Sequence, residues 1–265
     1  MKDSECIAFL QWALPQLRLR WPGYRKVRRQ VCKRVSRRMA DLGLGSVDAY
    51  RARLEADPEE WAVLDGFTRI TISRFYRERD AFAYLCERVL PALRALAAGE
   101  PVQIWSAGCA GGEEGYTLAI AARAQGIRVR IVGTDSDTHQ LERARRASYS
   151  RGCLKDLPSR WRSSSFDQQG DAFVLREELR SSVELLHQDI REEMPDGPFH
   201  LILCRYLAFT YFDAPLQLEI AERLRARAVP GGCIALGKHE SWPADAPEVV
   251  EALPGLRIYR VAADE

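Results

Sequence analysis

The segment that most restricts what this chain can fold into is 102–137, VQIWSAGCAGGEEGYTLAIAARAQGIRVRIVGTDSD. An apolar run from Val102 to Ala107 stops at Gly108, Gly111 and Gly112. A helix-like stretch follows, then a second apolar run from Val129 to Gly133 that leads to Asp135. This is a strand–loop–helix–strand unit with a carboxylate at the tip of its second strand, the arrangement that holds the ribose of a nucleoside cofactor. Glycines in the loop let backbone approach a ligand that a Cβ would push away. A helix opening at Glu113 offers the free N–H groups of its first turn. Asp135 follows Gly111 by 24 residues, near the spacing of a carboxylate that accepts from ribose hydroxyls.

The loop departs from the dinucleotide fingerprint. It reads G-C-A-G-G-E-E, with Glu113 and Glu114 at the helix start. A pyrophosphate there meets like charge, whereas an amine or sulfonium does not. The chemistry tilts from NAD towards S-adenosyl-L-methionine (SAM), with S-adenosyl-L-homocysteine (SAH) as product. Ordinary helix capping also explains two acids in a first turn, because they favour the helix dipole.

Bulk properties exclude several classes. With 265 residues and 46% hydrophobic composition, one large domain and one small one can be built. The net charge of +2 gives no global signal for nucleic acid or membrane. Seven cysteines are scattered, odd in number and free of C-x-x-C spacing. That pattern predicts reduced thiols, a cytoplasmic location and no zinc site. The four histidines have no metal-ligand spacing. No apolar run reaches the ~18 residues that suggest a bilayer span, and the N-terminus lacks the pattern of a secretory signal.

Residues 1–68 read as helices. Val27, Val31, Val35 and Met39 recur every four residues, so one helix is expected from about Tyr24 to Leu42, stopped by Gly43. Ser46 and Asp57-Pro58 open two more. Residues 69–100 form a linker and entry helix. From Val102 the rhythm alternates: strands at His200–Cys204 and Cys233–Gly237, a helix over Pro215–Ala228 broken by Pro230-Gly231-Gly232, a small excursion containing Ala172–Leu175, and a return at Val183–Leu186. Alternation of this kind implies a parallel sheet covered on both faces. Ligands gather at strand ends in such folds, and Gly108 to Glu114, Asp135, Asp189 and Arg205 fall there. Asp189 taken alone reads equally as a turn residue.

Arg18, Arg20, Arg25, Lys26, Arg28, Arg29, Lys33, Arg34, Arg37 and Arg38 lie in one stretch with no acid between them. Like charges four residues apart destabilise a helix, which argues for a docking face over a merely solvated one. An acidic protein partner or substrate suits it, and a nucleic-acid backbone is the alternative the charge alone leaves open.

Several segments together resemble the CheR-type SAM-dependent methyltransferases, which methylate glutamate side chains of chemotaxis receptors. They are R-R-M-A-D-L-G-L with a later E-W, T-I-S-R-F-Y-R at 71–77, I-W-S-A-G-C-A-G-G-E-E-G-Y-T at 104–117, T-D-S-D at 134–137, G-P-F-H-L-I-L-C-R at 197–205, Y-F-D at 211–213 and P-G-G at 230–232. The resemblance implies an α/β fold: a Rossmann-like class I methyltransferase domain with a mostly parallel central sheet over 69–265, preceded by a small all-α domain over 1–68. It implies that Thr71, Ser73 and Arg77 close over the methionine end of SAM, that Glu114 meets its amino group, and that Asp135 meets the ribose. Asp189 and Ile190 would flank the adenine. Arg205 and Tyr206 would line the site beside the sulfonium, with Tyr211 near the transferred methyl. Arg77, Arg205 and Tyr211 are thus the candidates for the reacting centre.

This chain departs from that pattern where the acceptor enters. Tyr206 replaces the usual Asn after C-R, one extra residue precedes Tyr211, Gly115 replaces a proline, and G-K-H-E-S-W stands where the family has G-H-S-E. The segment 163–184 is short for a receptor-gripping subdomain. Three functions are therefore carried forward: glutamate O-methylation of a protein, methylation of another side chain or a small molecule on the same fold, and a SAM-binding module without turnover.

Overall fold

The computed structural model describes residues 1–262, which divide into two compact units. The first holds Met1–Thr71 together with Thr210–Leu216. Its helices are α1 (Asp3–Gln16), α2 (Trp21–Tyr24), α3 (Arg28–Asp41), α4 (Val47–Ala56) and α5 (Pro58–Thr68). Ser46 caps α4 by accepting from the Ala49 N–H at 3.2 Å, and Asp57 caps α5 ahead of Pro58. Phe9, Leu10, Leu14, Val31, Val35, Tyr50, Leu54 and Leu64 form the core. The single helix expected from Tyr24 to Leu42 is instead broken at 25–27. Pro22 and Gly23 start a separate turn, and the Arg28 guanidinium donates to the Arg25 carbonyl at 2.6 Å, satisfying an acceptor left over by the break.

Two sequence expectations are corrected in this unit. Cys6 of α1 and Cys32 of α3 are not free thiols: helix packing brings their Cα atoms to 5.9 Å and they form a disulfide. The division expected at 68/69 falls at 71/72, and 210–216 leaves the methyltransferase unit altogether. Backbone bonds explain that exchange. Arg20 N–H donates to the Tyr211 carbonyl at 2.8 Å and Asp213 N–H to the Arg18 carbonyl at 2.9 Å, while the Tyr24 and Tyr211 rings lie 4.9 Å apart.

The second unit opens with α6 (Arg79–Tyr84), one π-helical turn at Leu85–Val89 and α7 (Leu90–Leu96). It continues through β1 (Val102–Ala107), α8 (Glu113–Ala124), β2 (Val129–Asp135) and α9 (Thr138–Arg146). A three-stranded antiparallel sheet follows, in the order β3-β5-β4, from β3 (Ser148–Ser150), β4 (Phe166–Gln169) and β5 (Ala172–Leu175). Then come β6 (Val183–His187), β7 (Phe199–Cys204), a helix at Ala214–Ala226 that begins in the first unit, β8 (Ala228–Ala235), β9 (Val249–Glu251) and β10 (Ile258–Val261). The main sheet has the order β6-β2-β1-β7-β8-β10-β9; β6 to β8 are parallel and β10 and β9 antiparallel.

Pro230-Gly231-Gly232 does not end a helix before a strand, as its composition suggested, but lies inside β8. The pairing with β7 skips there, from Phe199↔Ala228 to Leu201↔Cys233, so the extra residues are a bulge that accommodates proline and glycine. Strand order reverses at β1, whose neighbours are β2 and β7. The crevice beyond the carboxyl ends of β1 and β7 is where such sheets place ligands. Among the described residues no helix is long and apolar enough to cross a membrane.

Candidate active site

Two residues flanking β1 and β7 meet in this crevice. Arg205, directly after β7, has a side chain only 1% exposed. Its Nη1 donates to Oε1 of Glu114, in the first turn of α8, and its Nη2 to Oε2 of Glu78 at 2.7 Å. Nη2 also reaches the Arg77 carbonyl at 3.3 Å, and the guanidinium carbon lies 4.9 Å from the centre of the Phe82 ring. One buried cation is thus shared between two carboxylates. Burial pushes the Glu114 carboxyl above its usual range, against the pull of Arg205. Glu78 is also pushed up by burial, but the Tyr206 hydroxyl and Arg205 outweigh this and hold it below.

The segment carrying Arg77 is anchored by its neighbours. Phe75 N–H donates to the Cys153 carbonyl at 3.0 Å, and its ring meets Tyr149 and Phe166 edge-on at 4.8 and 5.3 Å. Tyr76 N–H donates to Thr117 Oγ1 at 3.2 Å. Tyr76 and Glu78 both have left-handed backbone, with φ of 56° and 64°, a conformation that costs energy for residues with a Cβ and recurs at functional sites. Between them, Arg77 donates to the Ile72 carbonyl and lays its guanidinium 4.1 Å from the centre of the Tyr206 ring.

Tyr206, the residue that departs from the family pattern, is held on four sides. Its hydroxyl donates to Glu78, its N–H donates to Glu240 Oε2 at 2.7 Å, and Arg77 covers its face. Gly237 lies against the ring, where a Cβ would come within 2.8 Å. The Gly237 N–H shares the Glu240 oxygen at 2.7 Å. Composition and motif reasoning missed Glu78, Gly237 and Glu240. The available signals were an acid directly after F-Y-R and a lone acid in G-K-H-E.

The glycine loop joins β1 to α8, and its glycines also serve packing. Ideal Cβ atoms on Gly108, Gly111 and Gly112 would lie 2.9 Å from Leu207, 2.7 Å from Arg143 and 2.6 Å from Tyr116. Protein packing by itself therefore leaves no room for a side chain at these three positions. The paired acids also separate. Glu113 is fully buried and pairs with Arg143, while Glu114 faces Arg205. Asp135 ends β2, where Oδ2 accepts from Ala110 N–H at 2.8 Å and Oδ1 from Asp137 N–H at 2.9 Å. Glu114, in the first turn of α8, and Asp135, the last residue of β2, therefore stand at the carboxyl ends of adjacent strands.

Asp189 follows β6, and its carboxylate is gripped by Arg191, with Oδ1 to Nε at 3.0 Å and Oδ2 to Nη2 at 2.6 Å. This matches the turn reading of Asp189. Ile190 is buried, and the neighbouring Gln188 has a buried amide oxygen without a hydrogen-bond partner. Ser73 is half-buried in the second unit. Thr71 and Tyr211 belong to the first unit, where Thr71 is exposed and Tyr211 packs on Tyr24. Burial pushes the Cys109 and Cys204 thiols up, so neither is a thiolate near neutrality.

Comparison with known proteins agrees with this geometry. Residues 71–257 match the family described as CheR methyltransferase, SAM binding domain, and residues 26–64 match CheR methyltransferase, all-alpha domain. Chemotaxis protein methyltransferase 2 of Pseudomonas aeruginosa is 33% identical over 80% of this chain and 78% of its own length. The chemotaxis protein methyltransferase of Salmonella typhimurium is 29% identical over 90% and 84%. An uncharacterized 104.1 kDa protein of Rhodobacter capsulatus is 29% identical over 80% of this chain, which spans only 23% of that protein. The class is a SAM-dependent methyltransferase with a Rossmann-like, mostly parallel sheet. Within that class, the chain belongs to the CheR methyltransferase family.

The residues present fit SAM. Its amino group and sulfonium are cationic, and the crevice carries an excess of carboxylate. The unpartnered Gln188 amide oxygen beyond β6 offers an acceptor for the exocyclic amine of an adenine. Asp135 lies on the intervening strand end, at the place a ribose requires.

Proposed function

We propose that the protein transfers the methyl of SAM to a carboxylate side chain of a protein, forming a glutamate methyl ester. SAM supplies an electrophilic methyl: the carboxylate oxygen forms the O–CH3 bond while the electron pair of the breaking C–S bond returns to sulfur. No proton has to move, because a glutamate with pKa about 4.3 is ionised at neutral pH. In this reading Glu114 holds the ammonium, Asp135 the ribose hydroxyls and Ile190 packs on the adenine. Arg77 and Arg205 line the reacting centre, where Arg77 steers the anionic acceptor. Alignment and exclusion of water supply the rate.

The observation that carries this reading is how the site's proton acceptors are engaged. Glu78 is held ionised by Arg205 and by the Tyr206 hydroxyl, and burial pushes the phenol of Tyr206 up. His239, just beyond Gly237, is exposed. An amine or guanidinium acceptor needs a base, whereas a carboxylate uses the site as it stands. The names of the chemotaxis relatives point the same way.

We further infer that the basic face receives an acidic protein partner. Arg28 pairs with Asp3, Arg38 with Glu60, and Arg34 with the carbonyls of Phe67 and Arg69. Arg29, Lys33 and Arg37 remain exposed at spacings of four on α3, and this stripe is the part available for docking.

The test is incubation with methyl-labelled SAM in extract, followed by mapping of the labelled residue. Label released by base as methanol supports the ester; base-stable label on an amine or guanidine overturns it. Reversing Arg29, Lys33 and Arg37 to Glu should reduce labelling of a protein acceptor tenfold or more at low salt, with SAM affinity unchanged. Equal labelling would remove the docking role.

A further inference from the structure

Arg205 could pair with one carboxylate, yet it is wedged between two. Glu78 comes from the segment before α6 and Glu114 from the first turn of α8. Two carboxylates around one guanidinium leave one negative charge over. Both acids are largely shielded from water, with side chains 17% and 15% exposed, so the surplus is felt strongly. Arg77, stacked over Tyr206, offsets part of it at Glu114.

Glu78 is not held there by chance. Its backbone is left-handed, and its side chain accepts from Arg205, from the Tyr206 hydroxyl and from Lys238 N–H at 3.2 Å. It therefore ties together the Arg77 segment, the end of β7 and the loop after β8. If Glu114 were the sole partner of Arg205, the pair would be neutral and a ligand ammonium would have to compete with a buried guanidinium for the same oxygens. Glu78 takes half of that guanidinium and leaves Glu114 with charge to spare.

We propose that Glu78 is a positioning residue that divides Arg205 between two carboxylates and so leaves the pair with net negative charge facing the amino group of SAM. This deepens the cofactor reading above and rests on it. Its signature is selectivity. Losing the Glu78 charge harms ligands that carry the amino-acid end and spares those that lack it.

Two probes separate the cases: SAH, which has the ammonium, and 5′-methylthioadenosine, which keeps adenine and ribose but has no amino-acid end. Their dissociation constants are measured by calorimetry, the second in competition with SAH, for wild type, Glu78→Gln, Glu78→Asp and Tyr206→Phe. Glu78→Gln should weaken SAH tenfold or more and leave 5′-methylthioadenosine within twofold. Glu78→Asp should recover part of the loss. Tyr206→Phe, which keeps the charge and removes one tether, should change SAH less than Glu78→Gln does. Equal weakening of both probes by Glu78→Gln would mean a collapsed pocket and overturn the proposal, as would no weakening of either. A wild type that binds neither probe would instead overturn the cofactor assignment of the crevice.

Discussion

Two buried ion clusters, one in each unit, are built from the same residue types and end with opposite balances. In the first unit Glu60, 2% exposed, accepts from Arg38 at 2.6 Å and from the Tyr50 hydroxyl at 2.8 Å. One acid meets one cation, and a phenol fills the remaining lone pair. In the second unit Arg205, 1% exposed, meets both Glu78 and Glu114, and an anion is left over. A structural cluster satisfies itself, whereas the crevice cluster has more carboxylate than its buried guanidinium can pair, with only the half-buried Arg77 nearby to offset it. The difference separates scaffold from site more sharply than the presence of charge does, since buried pairs of either kind add little net stability.

The comparison breaks most visibly at Arg205. Arg205→Ala leaves two buried carboxylates facing each other, and removing one partner of a buried cluster costs about 3–5 kcal/mol. Urea unfolding should show that loss, with SAH binding abolished. An unfolding midpoint within error of wild type would mean that the two acids are solvated after all. Next in size is the disulfide of the first unit, which closes a loop with sequence separation 26. Cys32→Ser or reduction should destabilise that unit by about 3 kcal/mol, read by hydrogen exchange in α1 and α3. Protection that is the same with and without reductant would show the bond is not formed in solution.

The smallest effect is the most diagnostic, because its sign differs between the clusters. Arg38 holds the Glu60 carboxyl below its usual range. Its stabilising contribution is present above the unfolded pKa of about 4.3 and disappears as pH falls through the lower folded value. Glu114 is raised by burial, so its ionisation destabilises as pH rises from about 4.3 to the higher folded value. Unfolding free energies of wild type minus Glu60→Gln should therefore fall on acidification, and those of wild type minus Glu114→Gln should rise. Parallel slopes would erase the distinction between the two clusters.

Much of this was legible from residue order. The β1–α8–β2 unit, Glu114, Asp135 and Arg205 follow from apolar runs that end in polar residues, since strand ends are fixed by local pattern. The capping residues Ser46 and Asp57 were read for the same reason. What depends on distant segments was not legible. Glycines 108, 111 and 112 suggested a ligand, and nothing in residue order showed that they also make room for Leu207, Arg143 and Tyr116. Cys6 and Cys32, far apart in the chain, meet only once α1 and α3 pack. The run of ten basic residues looked like one surface, yet Arg28, Arg34 and Arg38 are spent on partners within the first unit. Glu78 had the weakest signal of all, an acid beside an arginine, and sits at the centre of the cluster.

The central claim is that Glu114 and Asp135 grip the amino-acid end and the ribose of one adenosyl ligand. Calorimetric titration of Glu114→Gln and Asp135→Ala with SAH and with 5′-methylthioadenosine tests it directly. SAH should weaken at least tenfold in both variants, about 1.4 kcal/mol, and 5′-methylthioadenosine only in Asp135→Ala. Unchanged SAH affinity in either variant, or loss of both ligands in Glu114→Gln, would contradict it.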